Sequence, residues 1–159
     1  MTDRTTAMRS KVELRGRMRR LRRGLDRRDE RSAQLWGHVA AVEEVTRARR
    51  ILAFSTIVGE PDTAPFVEWC RTRGLEVALP EDAVEATWPD VVVVPGLAFT
   101  AAGARLGQGG GWYDRILADV RPECTTVGVC FAEQVLDALP IEPHDVSVDV
   151  VVTEEGRCR

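Results

Sequence analysis

The sequence predicts an α/β fold: a three-layer, Rossmann-like arrangement with a mostly parallel open sheet and helices on both faces. Short apolar strands alternate with helical segments, which is the pattern of right-handed βαβ units. The run 90–95 is apolar on both faces, so it predicts a central, buried strand. A loop with four glycines in five positions, 107–111, leads directly into a helical run that begins at Trp112. A flexible loop that feeds a helix N-terminus is a common anion site in such folds.

The predicted elements follow from apolar periodicity and from turn residues. Leu14, Met18, Leu21 and Leu25 form one apolar stripe on a first helix, and Asp26 is placed to cap the second helix. The predicted strands are 50–55, 75–80, 90–95, 125–130 and one within 145–153. The predicted helical segments are 8–24, 27–42, a short turn at 43–48, 63–73, 112–120 and a turn at 132–136, with a basic helix pair at the amino terminus.

Composition indicates one soluble domain over residues 1–159, with 1–7 disordered. The chain has 159 residues, of which 44% are hydrophobic, and this suits a single core. No segment approaches the roughly 20 apolar residues of a membrane span. The first residues lack an apolar signal core, so we expect a cytoplasmic protein without membrane contact. The four cysteines form no C-x-x-C pair, which favours reduced thiols over a zinc site or a disulfide framework.

Charge is distributed unevenly along the chain. Residues 1–50 carry 15 basic and 7 acidic side chains, whereas residues 51–159 carry 7 basic and 18 acidic ones. A basic arm can indicate nucleic acid, but no nucleic-acid motif or interleaved aromatic residues accompany it. We therefore expect no nucleic-acid partner, and a basic helix that serves a polyanionic small ligand or a solvated face instead. The chain is expected to be a monomer or a homodimer.

The glycine loop itself suggests a phosphate together with a metal ion. Its glycines allow positive φ and close approach of the backbone to a ligand, while Arg105 and Arg115 flank it and Asp114 lies in the first helical turn. The spacing of a P-loop is absent, and the dinucleotide fingerprint fails because Trp112 stands where its last small residue belongs. The motif therefore indicates an anion without saying which one, and a plain solvent loop is the alternative.

Two segments, VPGLAF at 94–99 and RLGQGGGWYDR at 105–115, resemble the signature of the 5-formyltetrahydrofolate cyclo-ligase (5,10-methenyltetrahydrofolate synthetase) family. This resemblance implies that the loop holds the phosphates of ATP beside a reduced folate. A Lys-x-x-x-Arg segment at 11–15 is similar to the opening helix of the family, where both cations contact ATP. The residues to which the resemblance assigns ATP binding are Lys11, Arg15, Arg105, Gly107, Gly109, Gly110, Gly111, Trp112 and Tyr113.

Two further segments extend the resemblance. The stretch 59–63, GEPDT, is similar to a family segment whose Glu contacts folate, which implies substrate binding by Glu60, with Tyr113 beside it. The ending L-P-x-E-x-H-D at 139–145 is also similar, and it implies that Asp145 joins Asp114 in binding Mg²⁺. Without the resemblance, Glu60 is a solvated loop carboxylate and His144-Asp145 is a turn.

The reaction implied by the resemblance uses ATP to activate the N5-formyl oxygen of 5-formyltetrahydrofolate. N10 of the folate then attacks the activated carbon, phosphate leaves, and 5,10-methenyltetrahydrofolate and ADP form. The γ-phosphoryl charge must be neutralised and the reactants must be aligned. The expected catalytic residues are Lys11, Arg15, Arg105 and Tyr113, with ATP and Mg²⁺ as cofactors.

The sequence departs from the family pattern at residues 81–89, where most members carry a few dozen additional residues near the folate. Trp112 also replaces the usual Tyr, and Gln108 and Gly110 stand where some relatives have basic residues. Three hypotheses stay open at this point. The chain is a shortened, active cyclo-ligase, an ATP-dependent enzyme that acts on another small substrate, or a non-catalytic protein that binds a nucleotide or a folate.

Overall fold

A computed structural model describes residues 4–158, and it confirms the predicted α/β class. The helices are α1 (Arg4–Arg23), α2 (Arg28–Ala40), α3 (Glu43–Arg47), α4 (Ala64–Thr72) and α5 (Trp112–Asp119). The strands are β1 (Arg50–Leu52), β2 (Glu76–Ala78), β3 (Val91–Pro95), β4 (Ala98–Phe99), β5 (Arg105–Leu106), β6 (Thr125–Val129), β7 (Val150–Thr153) and β8 (Gly156–Arg157). Each predicted strand and helix is found, with shifted ends.

Six strands form one sheet in the order β2-β1-β3-β6-β7-β8. All pairs are parallel except β7 with β8, which are antiparallel. β3 lies between β1 and β6, and its register with β6 runs from Val91 opposite Thr125 to Pro95 opposite Val129. The prediction of a central, buried β3 is confirmed. The β4–β5 hairpin and β8 were not predicted, because two-residue strands leave no periodic signal.

Helices cover both faces of the sheet. Alternate residues of β3 point to opposite sides, so Val91 and Val93 share one core with α2, α3 and α4, whereas Val92 and Val94 share another with Leu117 of α5. On the first face, the rings of Trp36 and Phe66 stack with their centroids 4.8 Å apart. The predicted inward residues of α2, namely Leu35, Trp36 and Val39, are all buried.

Helix α1 packs on the β4–β5 hairpin rather than on the main sheet. Met18 is fully buried against Leu97, Ala98 and Leu106. Since β5 leads into the glycine loop, this packing holds the basic helix beside the loop. The packing of the apolar stripe of α1 on the hairpin therefore determines where the basic side chains of α1 lie.

Two local predictions are wrong. Helix α1 begins at Arg4, so residues 4–7 are helical where disorder was predicted, while residues 1–3 lie outside the described part of the chain. Asp26 does not cap α2: the N-cap position is Arg27, with φ 50° and no side-chain hydrogen bond. The Nε of Arg28 instead donates to the Leu25 carbonyl at 3.1 Å, and this contact stabilises the reversal between the helices. Within residues 4–158, none of the helices is long and apolar enough to cross a membrane.

Candidate functional site

A cavity of about 560 Å³ opens at the carboxyl ends of the parallel strands, with Pro95 at the end of β3 in its wall. Open α/β sheets place their ligands at this edge. The structure brings together every site residue that the sequence predicted. The cavity is lined by Lys11, Arg15, Glu60, Arg105, Gly107, Gly109, Gly110, Gly111, Trp112, Tyr113, Asp114 and Asp145. The roles of these residues remain predictions.

The glycine loop is held by contacts to its carbonyl groups. Arg15 Nε donates to the Gly107 carbonyl at 3.0 Å, and Arg115 Nη1 donates to the Gly110 carbonyl at 3.1 Å. Gly111 adopts φ 72° immediately before α5, and a Cβ added at Gly110 meets no atom within 4 Å. Because the anchoring side chains bind carbonyls, the N–H groups of the loop are left for a ligand. The loop therefore combines exposed backbone with a helix N-terminus.

Arg105 is a buried cation in the cavity wall, since only 6% of its side chain is exposed. Its Nε donates to the Pro95 carbonyl at 2.8 Å, and its guanidinium lies 5.1 Å from the centre of the Tyr113 ring. Burial lowers the pKa of Arg105, and the charge of Asp114, whose Oδ1 is 3.9 Å from Nη1, opposes that shift. Arg105 is thus held rigidly with a positive charge beside the loop.

Lys11 forms a buried cluster with two carboxylates. Its Nζ lies 2.6 Å from Asp145 Oδ2 and 2.9 Å from Glu142 Oε1, and Lys11 is 5% exposed. Asp145 Oδ2 also accepts the Glu142 N–H at 2.8 Å. Hydrogen bonding to Lys11 lowers the pKa of Glu142. Glu142 and His144 line the cavity as well, although no role was predicted for either residue. Both lie in the L-P-x-E-x-H-D segment at 139–145, which is the signal that could have identified them.

The two predicted metal ligands reach the cavity from different elements. Asp114 lies in the first turn of α5, where its Oδ1 accepts the Val146 N–H at 3.3 Å, and Asp145 precedes β7. In the described part of the chain, no group of three or more His, Cys, Asp or Glu residues is arranged to hold a metal ion. Two carboxylates still fit Mg²⁺, which often takes its remaining ligands from phosphates and water. The Lys11 ammonium group already occupies a cation position at Asp145.

Glu60 and two aromatic residues, Trp112 and Tyr113, also line the cavity. Glu60 Oε2 accepts the Ile57 N–H at 3.0 Å. Burial raises the pKa of Glu60, and nearby arginines only partly oppose this shift. Burial likewise raises the pKa of Tyr113, whose ring meets the Trp112 ring edge-on with centroids 4.6 Å apart. Exposed Met8, Val12 and Ile57 add an apolar rim. A cavity with polar groups on its inner wall and apolar side chains at its entrance suits a flat heteroaromatic ligand.

Residues 81–154 match the family model described as the 5-formyltetrahydrofolate cyclo-ligase family. Over these residues, which are just under half of the chain, the sequence is similar to this cyclo-ligase family. The match begins at Glu81, within the short connection between β2 and β3, and it includes the glycine loop, Asp114 and Asp145. The recognition made from the signature segments is confirmed.

Solved structures support the same assignment. The structure of the Aquifex aeolicus 5,10-methenyltetrahydrofolate synthetase superposes with a TM-score of 0.80 at 27% identity, covering 94% of this chain and 92% of that one. A Mycoplasma pneumoniae 5,10-methenyltetrahydrofolate synthetase superposes with a TM-score of 0.79 at 21% identity, over 91% and 99% of the two chains, and supports the fold alone.

Curated relatives match over stretches of different length. A Mycolicibacterium smegmatis 5-formyltetrahydrofolate cyclo-ligase is 44% identical over 64 residues, 40% of this chain and 33% of that protein. The chain thus spans about a third of the length of the first relatives it matches. The Escherichia coli cyclo-ligase is 27% identical over 174 residues, 86% of this chain and 96% of the relative. The 174-residue stretch exceeds this 159-residue chain, so the relative carries residues that the chain lacks.

Proposed function

We propose that the protein catalyses the ATP- and Mg²⁺-dependent cyclisation of 5-formyltetrahydrofolate to 5,10-methenyltetrahydrofolate, with release of ADP and phosphate. The observation that carries this proposal is one cavity that is lined both by a cationic glycine loop, called here the glycine-lined end, and by Glu60 with Trp112 and Tyr113, called here the carboxylate-aromatic end. A ligase that joins a phosphate donor to a heteroaromatic acceptor needs both ends in one space. Cytoplasmic location, small-molecule partners and a monomeric or homodimeric state belong to the same proposal.

The glycine-lined end is proposed to bind the phosphates of ATP. Arg105 supplies a buried positive charge, and the loop N–H groups with the N-terminus of α5 supply fixed dipoles. Arg15 holds the loop through the Gly107 carbonyl, and its remaining N–H groups face the same cavity. Such preorganised donors stabilise charge that develops on a transferring phosphoryl group.

Asp114 and Asp145 are proposed to hold Mg²⁺, which when bound neutralises phosphate charge. Their oxygen donors fit this ion, and the cluster at Asp145 already accommodates a cation in the form of the Lys11 ammonium group. Lys11 therefore shares an oxygen of Asp145 with that ion. We propose that Lys11 turns from Asp145 to a phosphate when the site fills, while Glu142 keeps the ammonium group near its present place.

The carboxylate-aromatic end is proposed to orient the folate. Glu60 offers a partly buried acceptor to ring N–H groups of the substrate, and the Tyr113 ring lies 5.1 Å from the guanidinium of Arg105. The nucleophile is N10 of the folate itself. The protein therefore needs no side-chain nucleophile for this reaction; its residues position the reactants and stabilise charge.

The test is the appearance of the 5,10-methenyltetrahydrofolate absorbance band in a mixture of purified protein, Mg-ATP and 5-formyltetrahydrofolate. A rise that requires both ATP and Mg²⁺ supports the proposal. Omission of each component in turn is the control. No rise under any condition, with 5-formyltetrahydrofolate unable to raise the Tm of the protein, contradicts it.

A second candidate function is an ATP-dependent reaction on a different small substrate. The specific observation is the short connection from β2 to β3, where residues 79–90 form little more than one 3₁₀ turn, Pro80–Asp82. Glu81 of this connection reaches the cavity wall through hydrogen bonds with Ser55 Oγ at 2.9 and 3.0 Å. A protein that binds Mg-ATP but leaves 5-formyltetrahydrofolate unchanged favours this candidate.

A further inference from the structure

Gln134 is a buried polar side chain at the end of the 3₁₀ turn Ala132–Gln134, which follows β6. Only 1% of the residue is exposed. Its Nε2 donates to the Leu97 carbonyl at 2.9 Å and to the Gly96 carbonyl at 3.2 Å, while its Oε1 accepts the Phe131 N–H at 3.0 Å. These partners fix the orientation of the amide, because carbonyls require its donor side and an N–H requires its acceptor side.

Gln134 and Arg105 together bind three successive carbonyl groups at the end of β3. Arg105 Nε donates to the Pro95 carbonyl at 2.8 Å, and Gln134 binds the next two. Pro95 and Gly96 line the main cavity. The space around Gly96 is tight, because a Cβ there would lie 2.8 Å from Phe99 Cε2. A shift of the peptide between Pro95 and Gly96 therefore moves the carbonyl that orients the Arg105 guanidinium.

Leu97 connects the same segment to the β4–β5 hairpin and to α1. Its N–H donates to the Leu106 carbonyl at 2.8 Å, and its side chain belongs to the same core cluster as Met18 of α1. Arg105 directly precedes Leu106 in β5. Gln134 thus binds the chain at the point where the central sheet joins the hairpin that carries Arg105.

We propose that Gln134 is a positioning residue for the glycine-lined end: it holds residues 95–97 so that Arg105 keeps the orientation in which it stabilises a transferring phosphoryl group. This inference rests on the proposed function. A guanidinium is a planar fork that binds oxygen atoms well only in a defined orientation. A small displacement of such a group lowers the rate, because the charge of the transition state is then stabilised less well. The neutral amide of Gln134 holds the segment without adding a charge that competes for Arg105.

The experiment begins with Gln134→Met, because Met has a similar length but lacks an N–H donor. We expect kcat with Mg-ATP to fall about tenfold, while KM for 5-formyltetrahydrofolate changes less than about twofold. The same substitution in an Arg105→Lys background should lower kcat less than about twofold, since the guanidinium that Gln134 orients is already absent. Gln134→Asn keeps the amide on a shorter side chain, so its kcat should lie between those of Gln134→Met and wild type.

Thr126→Val is the matched control for a loss of stability alone. Thr126 is buried near the amino end of β6, its Oγ1 donates to Asp149 Oδ2 at 3.1 Å, and it is not among the described residues that line the main cavity. This variant should have a lower Tm but the wild-type kcat, when kcat is divided by the folded fraction measured by circular dichroism.

The outcomes separate the inference from the proposed function. Equal losses of kcat in the wild-type and Arg105→Lys backgrounds overturn the inference, as does a loss that the unfolded fraction explains or a failure of both Gln134 variants to fold. If wild type binds ADP but forms no 5,10-methenyltetrahydrofolate, the proposed function fails and the affinity for ADP tests the inference. Gln134→Met should then weaken ADP binding about fivefold in the wild-type background only. An equal change in both backgrounds overturns the inference.

Discussion

The two ends of the main cavity differ in how their charges are compensated. At the Lys11 end, Nζ lies within 3 Å of two carboxylates, so a buried cation and two buried anions satisfy one another. At the Glu60 end, the partly buried carboxylate accepts one backbone N–H, and within the described residues no cation lies in ion-pair contact with it. The pKa of Glu142 is lowered by its partner, whereas that of Glu60 is raised by burial.

This difference indicates how each end responds to a bound ligand. The Lys11 end is complete without a ligand, so a ligand there must compete with an existing ion pair. The Glu60 end is incomplete, so a ligand that donates hydrogen bonds to the carboxylate improves its surroundings. The following substitutions test this comparison.

The largest effect is expected for Lys11→Ala. We expect turnover to fall at least about 100-fold, because a cation near the phosphates is lost. The Tm should also fall, because Glu142 and Asp145 remain buried without their partner.

Mg²⁺ alone should then raise the Tm of the variant more than that of wild type, since Asp145 no longer bonds to an ammonium group. Scanning calorimetry with and without Mg²⁺ measures both effects, with Arg17→Ala as the control. Equal Mg²⁺ responses would contradict the shared role of Asp145.

Asp114→Asn should lower turnover about 100-fold as well, and its Tm should fall less than that of Lys11→Ala, because buried Arg105 loses only a charge 3.9 Å away. The amide oxygen still accepts the Val146 N–H, so the local structure is retained. A titration of turnover with Mg²⁺ should show a higher requirement than in wild type. Asp119→Asn at the exposed end of α5 is the matched control. Wild-type activity in the Asp114 variant removes this residue from the site.

Glu60→Gln should weaken folate binding about tenfold, which is the loss of one hydrogen bond to a charged acceptor. A folded-state pKa above the ordinary value means that the wild-type protein loses stability as the pH rises from about 4.5 through the raised pKa. The Glu60→Gln variant has no carboxyl group at this position, so it does not lose stability in this way. The Tm of the variant minus the Tm of the wild-type protein should therefore increase across this pH interval. Thermal unfolding over a pH series measures this Tm difference, and Glu85→Gln at an exposed position is the control. A constant difference would show that burial of the charge is not the cause.

The smallest effects are expected at two neighbouring glycines of the loop. Gly111→Ala should cost about 1 kcal/mol of folding free energy, because φ is 72° there. Gly110→Ala should leave the Tm unchanged, because a Cβ at that position meets no atom within 4 Å. If the loop binds phosphate, the added methyl group occupies space that the ligand needs. The affinity of this variant for ADP should therefore fall. Calorimetry of unfolding and of ADP binding separates the two results.

Most of the fold follows from local patterns that the sequence displays. The central position of β3 is visible in its unbroken apolar run, and the Leu14-Met18-Leu21 stripe marks the buried side of α1. The β4–β5 hairpin escaped prediction because each strand has two residues and their pairing depends on a contact across the intervening loop. The start of α2 was misjudged for a similar reason, since Arg28 rather than Asp26 stabilises the turn.

The candidate site was predictable in its membership but not in its contacts. The signature segments named residues that the structure gathers in one cavity. The pairing of Lys11 with Asp145, which are 134 positions apart, left no trace in either segment. The burial of Arg22 was also visible in the sequence only as part of a general excess of basic residues near the amino terminus.

The sequence by itself determined the α/β class, the order of strands and helices, and the family that the chain resembles, because these depend on short-range periodicity and on contiguous motifs. Only the tertiary structure decided which charges meet. It places Lys11 between Glu142 and Asp145, buries Glu60 without an ion pair, and leaves an N–H-bearing nitrogen of Arg22 without a partner among residues 4–158. The energy of a charge depends on its burial and on neighbours brought from distant parts of the chain, and neither is encoded in local spacing.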